Sequence, residues 1–540
     1  MHGLMMQEPL LVSWLIRHAD RHHGDVEIVS RRIEGDVHRT TWRALHRRAR
    51  QLANALGALG IADGDRVATL AWNGYRHLEL YFAASGSGAV LHTVNPRLLV
   101  DQIGWIARHA QDKVLFFDLT FLPIVEQLAQ QSGTIRHYVA LADRNRMPVS
   151  RALPGLLCYE DLVEQASDRF DWPRFDENTA SSLCYTSGTT GNPKGALYSH
   201  RSTLLHTFGI AMPDSLGLSA RDAMLPVVPM FHVNAWGLPY AAAMVGAKLV
   251  FPGCQLDGKS LYDLIEQERV TLSAGVPTVW QGLLGYVEAN QLRFSTMRRT
   301  VVGGAACPMA MLRLFEEKHG VAVLHAWGMT EMSPVGTVAA LKEKHRDLDA
   351  EGRFAVQLHQ GRAMFGVDMR IVGDDGAEQP WDGKAFGDLQ VRGPWVIREY
   401  FAGEAGDVLR DGWFPTGDVA SIDADGYMQI TDRSKDVIKS GGEWISSIEI
   451  ENIAVGHPAV AIAACIAARH PKWDERPLLV VVLKEGHSAT RDEILSVFDG
   501  KVARWQIPDD VVITDAIPLG ATGKILKTKL RAEYGNHYLR

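Results

Sequence analysis

Tyr185-Thr-Ser-Gly-Thr-Thr-Gly-Asn-Pro-Lys-Gly195 decides how this chain is read. From Thr186 to Gly191 every residue is glycine or carries a hydroxyl, and Lys194 follows. Such a run offers backbone N–H groups and hydroxyl donors to an anion, and the lysine adds a point charge. A surface turn also uses Ser, Thr and Gly, but it does not call for this density together with a lysine. A Walker A loop needs Gly-Lys-Ser/Thr entering a helix. Here Lys194 is followed by Gly195 and the strand-like Ala196-Leu-Tyr198, so the loop joins two extended segments. A P-loop ATPase is disfavoured.

On either side, helical and strand patterns alternate. Trp42, Leu45, Ala49, Leu52, Leu56 and Leu59 recur at helical spacing, with Gly60 where the helix should end. Arg66–Trp72 then reads as a short buried strand, and the order returns as a helix over Leu261–Glu268 and a strand over Val270–Ala274. Repeated units of this kind predict parallel sheets covered by helices. The texture changes at Asp432-Arg-Ser-Lys-Asp436. A glycine pair, an amphipathic stretch, a strand-like Leu478–Leu483, a helix from Asp492 and a basic tail follow. That is roughly 105 residues, the size of a small domain. The expected fold is α/β: a large N-terminal multi-sheet α/β domain, residues 1–432, and a small mobile α+β C-terminal domain, residues 433–540.

The 540 residues are 46% hydrophobic and 22% charged, which excludes a disordered chain or a coiled coil. Against 63 acidic residues stand 56 basic ones, a net charge of -7, so no global field draws nucleic acid or an anionic membrane. Cys158, Cys184, Cys254, Cys307 and Cys465 are scattered, with no zinc-like spacing, and read as reduced thiols of the cytoplasm. Met1–Ile16 lacks the basic start and cleavage site of a signal peptide, and no apolar run reaches the length of a membrane span. The cluster Arg43, Arg47, Arg48 and Arg50 reads as a solvated helix face.

The loop from Thr186 to Gly195 resembles the signature of the adenylate-forming (AMP-binding) superfamily. Further segments agree in order: Pro229-Met-Phe-His-Val-Asn-Ala-Trp236, Ala274-Gly-Val-Pro-Thr278, Val302-Gly-Gly-Ala-Ala306 and Trp327-Gly-Met-Thr-Glu331. Thr416-Gly-Asp418, Asp432-Arg-Ser-Lys-Asp436, Ser440-Gly-Gly-Glu443 and Gly523-Lys524 complete the set. The strings around Trp236 and Trp444 are similar to acyl-CoA synthetases of the medium- and long-chain fatty-acid branch, and to ligases for 3-methylthiopropionate.

The resemblance implies a role for each motif. Thr186, Ser187, Gly188, Thr189, Thr190 and Lys194 would hold phosphates, and Thr186 and Glu331 would hold Mg²⁺, for which a hard carboxylate is suited. Trp327, with Gly328, Met329 and Thr330 after it, would offer an aromatic face to adenine, and Gly303, Gly304 and Ala305 a close backbone wall opposite. Asp418 would take the ribose hydroxyls with Arg433 beside it. His232, Val233, Trp236, Gly303 and Pro334 would line the acyl side, Trp236 as a gate that moves when ATP binds. Lys524 would offset charge at the α-phosphate during adenylation. Lys435 fits the hinge, and Ser440, Gly441 and Gly442 the loop that meets the pantetheine arm, with Lys439 and Trp444 near the adenylate. The implied enzyme is an acid–thiol ligase that uses ATP, Mg²⁺ and CoA to convert a carboxylic acid to its thioester, releasing AMP and pyrophosphate. A homodimer is implied by the same analogy. An inert nucleotide-binding protein would be expected to lose Lys524 or Glu331, and both are present.

Overall fold

The computed structural model describes residues 1, 3–131, 133–186, 192–373, 375–404, 406–433, 436, 438–440, 443–520 and 525–539, without the side chains of Asp432, Arg433, Glu443 and Trp444. Among these residues the strands form four sheets. The first, of seven strands, runs Leu157–Cys158, His137–Ala140, Asp112–Phe117, Arg66–Leu70, Val90–Thr93, Ala180–Tyr185, Gly195–Ser199. It is parallel until the final pair, which is an antiparallel hairpin. That hairpin holds the quoted loop, as its flanking extended segments predict.

The second sheet has nine strands and a parallel centre: Ala322–Gly328, Arg299–Val302, Leu272–Gly275, Ala223–Pro226, Lys248–Phe251 and Glu27–Arg31. Antiparallel strands close both its ends. Helices lie between the two sheets, which explains the residues they carry. In Tyr75–Gly86 every residue is buried, because both sides of the helix face protein. The helix Trp42–Ala58 follows the sequence pattern closely. Thr41 caps it by accepting from Ala44 N–H, and Gly60 beyond it has φ 76°, the left-handed region open to glycine. The helix expected at Leu261–Glu268 begins earlier, at Gly258, because Asp257 caps it through Ser260 N–H.

One expectation fails in this layer. Arg43 and Arg47 are exposed, but Arg48 is not on a solvated face. Its guanidinium pairs with Glu79 at 2.6 Å and Glu160 at 2.8 Å, and Glu160 also binds Arg76. The buried helix Tyr75–Gly86 brings Glu79 against it, a tertiary contact that no local charge pattern reveals.

A third, antiparallel sheet of Asp368–Val372, Gly387–Arg392, Phe414–Ile422 and Met428–Arg433 follows. The last sheet pairs Ile438–Ser440, Glu443–Ile445, Val460–His470, Asp474–Leu483 and Asp510–Ile513. Its own apolar core gathers Ile450, Cys465, Leu479, Ile494 and Phe498. It meets the preceding residues where Ser446 Oγ donates to Thr431 O at 2.6 Å and Gln281 Nε2 to Ala461 O at 2.9 Å.

Candidate active site

Open α/β sheets place their binding crevice outside the carboxyl ends of their strands. Five expected segments fall there. Thr186 follows Ala180–Tyr185, His232 follows Ala223–Pro226, Val276 follows Leu272–Gly275, Gly303 follows Arg299–Val302 and Glu331 follows Ala322–Gly328. Sequence distance disappears because both parallel sheets turn these ends toward one cleft.

The two ends of the expected phosphate loop are tied together. Thr186 N–H donates to Lys194 O at 2.9 Å, and Lys194 N–H to Thr186 Oγ1 at 3.0 Å. Lys194 Nζ lies 4.9 Å above the ring of Tyr400, whose hydroxyl donates to Glu331 Oε1 at 2.6 Å. Burial and the Glu331 carboxylate push the Tyr400 hydroxyl well above its ordinary pKa, so it stays a donor. Glu331 is only 6% exposed and sits in a short turn held from two sides. Tyr198 OH donates to Thr330 O at 2.5 Å, and Ile397 N–H to Glu331 O at 2.8 Å. With Oε1 engaged, Glu331 Oε2 has no hydrogen bond among the described residues. That hard oxygen donor fits a Mg²⁺ ion carried in on phosphates.

Where adenosine is expected, Trp327 Nε1–H donates to Asp418 Oδ2 at 3.1 Å, and both residues are buried. The indole therefore orients the carboxylate expected to take ribose, a polar role that a bare stacking face lacks. Asp418 stands opposite Arg433 in the antiparallel register of Phe414–Ile422 and Met428–Arg433. Gly303 packs between Ala326 and Trp236. A Cβ there would come within 2.9 Å of Ala326 O and 3.0 Å of Trp236 Cη2, so only glycine fits. Gly304 and Ala305 are exposed. Met329 N–H donates to Pro334 O at 3.0 Å, which folds Pro334 back onto the Gly328 backbone.

On the acyl side the chain makes an unusual turn. Val233, Asn234, Ala235, Trp236 and Gly237 all have positive φ, from 41° to 78°. Four of them are not glycine, and each L-residue in the left-handed region costs about 1–2 kcal/mol. Beneath the turn, His206 accepts from Val335 N–H at 3.1 Å and packs against Gly237. A cavity runs from His232 and Phe231 past Cys184 to His92 and Asn95. His92 Nδ1 is 2.7 Å from Asp112 Oδ1 in full burial, and burial raises the Asp112 carboxyl.

Ser187, Gly188, Thr189, Thr190, Lys435, Gly441, Gly442 and Lys524 lie outside the described residues, as do the side chains of Arg433 and Trp444. Lys439 N–H donates to Glu475 Oε2 at 2.9 Å, and Ser440 Oγ accepts from Arg476 Nη1 at 3.3 Å, both within the fourth sheet's domain. Sequence reading passed over Tyr198, Tyr400, Asn234 and His92. Asn234 lies inside a motif already quoted, whereas Tyr400 carries no pattern that separates it from any other aromatic residue.

Comparison with known proteins gives family matches over most of the chain. Residues 15–401 match the AMP-binding enzyme family and residues 449–524 match the AMP-binding enzyme C-terminal domain. The 3-methylmercaptopropionyl-CoA ligase of Ruegeria lacuscaerulensis is 55% identical over 534 residues, 99% of each chain. The medium-chain-fatty-acid–CoA ligase of Ectopseudomonas oleovorans is 53% identical over 540 residues, covering 100% of this chain and 99% of that one. Among solved structures, an anthranilate CoA ligase in complex with anthranoyl-AMP superposes with a TM-score of 0.85 at 24% identity over 96% of each chain. No helix among the described residues is long and apolar enough to cross a membrane.

Proposed function

Because the chain belongs to the AMP-binding enzyme family, we propose that this cleft activates an aliphatic carboxylic acid and passes it to CoA. The chain is an AMP-forming acid–thiol ligase that uses ATP and CoA. In the first half-reaction the acid's carboxylate attacks the α-phosphate, giving an acyl-adenylate and pyrophosphate. In the second, the CoA thiol attacks the mixed anhydride and AMP leaves.

The observation that carries the site assignment is the pair of tied carboxylates. Asp418 is oriented by Trp327 for the ribose, and Glu331 is held by Tyr400 with one oxygen left for the phosphate side. Thr186 and Glu331 would hold Mg²⁺, which neutralises charge on the phosphates when bound. Thr186–Thr190 and Lys194 cradle the phosphates, and Trp327–Thr330 with Gly303, Gly304 and Ala305 frame the adenine. His232, Val233, Trp236, Gly303 and Pro334 line the acyl entrance, with Trp236 closing it over Gly303 until nucleotide binds. The division of the chain falls after residue 432, and Lys524 serves adenylation from the C-terminal side, Lys435 the hinge. After rotation, Ser440–Gly442 meet the pantetheine arm, and Lys439 and Trp444 lie near the adenylate. Five cysteines scattered without a framework spacing support a cytoplasmic location.

A fatty acid of medium or long chain is the substrate this reading favours, since no charged side chain among the assigned acyl-side residues asks for a polar tail. A second reading, 3-methylthiopropionate or another short acid, is favoured by the 55% identity to the Ruegeria enzyme. Pyrophosphate release with ATP, Mg²⁺ and CoA, measured across acids from acetate to palmitate and with methylthiopropionate, separates the two. Appearance of ADP and phosphate instead of AMP and pyrophosphate would overturn the adenylation reading.

A further inference from the structure

The side chain of Asn234 ties the left-handed turn Val233–Gly237 to the neighbouring sheet. Asn234 is 3% exposed and tolerates positive φ better than most residues. Its Nδ2 donates to Ser182 Oγ at 3.0 Å, and its Oδ1 accepts from Thr93 Oγ1 at 3.4 Å, with Cys184 Sγ at 3.5 Å. Ser182 and Cys184 belong to Ala180–Tyr185, the strand that runs straight into Thr186 and the phosphate loop. Thr93 ends the adjacent parallel strand, opposite Cys184 in register. Two residues beyond Asn234, the Trp236 ring lies against Gly303. A single buried amide thus joins the stem of the phosphate loop to the residue that covers the acyl entrance.

We propose that Asn234 is a positioning residue that couples the phosphate-loop strand to Trp236, so that nucleotide binding and acid binding report to one another through its amide. The turn suits this task because it sits in an unfavourable backbone region and its amide contacts reach the phosphate-loop strand. A shift of the strand changes those contacts, and the turn carries the indole with it. The inference rests on the assignment of the cleft to ATP and an acid made above.

Coupling between two ligands is reciprocal, which supplies a readout that mere destabilisation does not move. Octanoate affinity is measured with and without a non-hydrolysable ATP analogue, and analogue affinity with and without octanoate. In the wild type each ligand is expected to raise the affinity of the other about fivefold or more. In Asn234→Ala both ratios fall together to below about twofold. Ala235→Gly relaxes the same turn without touching the amide and keeps the wild-type ratio. Should Asn234→Ala fail to fold, Ser182→Ala removes only the hydroxyl that the amide donates to, and it must at least halve the ratio. A coupled Asn234→Ala, or an Ala235→Gly that loses coupling equally, overturns the role of Asn234. A wild type with no coupling overturns the gate as well, while pyrophosphate release from the same preparation shows separately whether the ligase reading stands.

Discussion

Replacing Trp327 by Phe keeps an aromatic face for adenine and removes one hydrogen-bond donor. The donor is Nε1–H, 3.1 Å from Asp418 Oδ2, at a contact where Trp327 is 8% and Asp418 3% exposed. Water has little access to replace it. A hydrogen bond to a charged group contributes about 1.5–3 kcal/mol, equivalent to about 10- to 150-fold in affinity. Asp418 is assigned to the ribose, so the loss should fall on nucleotide recognition. We expect kcat/KM for ATP to drop about tenfold or more, while KM for the acid changes less than about threefold. Pyrophosphate release at varied ATP and varied acid measures both, and a melting curve checks that the smaller ring has not loosened the core. An unchanged ATP parameter in a well-folded Trp327→Phe would refute the orienting role. Equal losses for ATP and acid would refute it too, because they would point to a general collapse of the cleft.

Lys524→Ala should abolish most adenylation while CoA attack on supplied acyl-adenylate survives, a split that separate half-reaction assays resolve; equal losses would count against two domain orientations. Stability should fall on acidification. His77, His200 and His325 are pushed down to about 4 by burial, and His206 to about 3. Their folded pKa values lie below the unfolded value of about 6.5, so the unfolded chain binds more protons between the two. Each histidine should therefore cost on the order of 1–2 kcal/mol by pH 5 relative to pH 7. Asp118, lifted to about 7 by burial, opposes the trend with the sign of a raised acid. Urea midpoints should decline steadily from pH 7 to pH 5, and a flat profile would show that these rings are already charged in the fold.

Much of the architecture is legible in local sequence. The helix at Trp42 announces itself by apolar spacing and by Gly60, and the loop at Thr186 by its lack of a following helix. These features depend on a residue's own neighbours along the chain, where periodicity and backbone preference act. The candidate site residues are named from motifs in the same way, because phosphate cradles and glycine walls call for particular residue types at fixed spacing. Contacts between those motifs were not. Trp327 and Asp418 are 91 positions apart. Tyr400 reaches Glu331 across 69 positions, and Arg48 reaches Glu79 and Glu160 through the packing of a helix buried on every side. The left-handed turn at Val233 is the sharpest case. Its residues favour the opposite hand when considered singly. The buried amide of Asn234, anchored to strands laid down 50 and 141 positions earlier, ties it to the neighbouring sheet. Local sequence determined which chemical groups this protein possesses. The packing of two parallel sheets with their strand ends on one cleft decided which of those groups meet, because side-chain contacts between distant segments exist only after the sheets have closed around the helices between them.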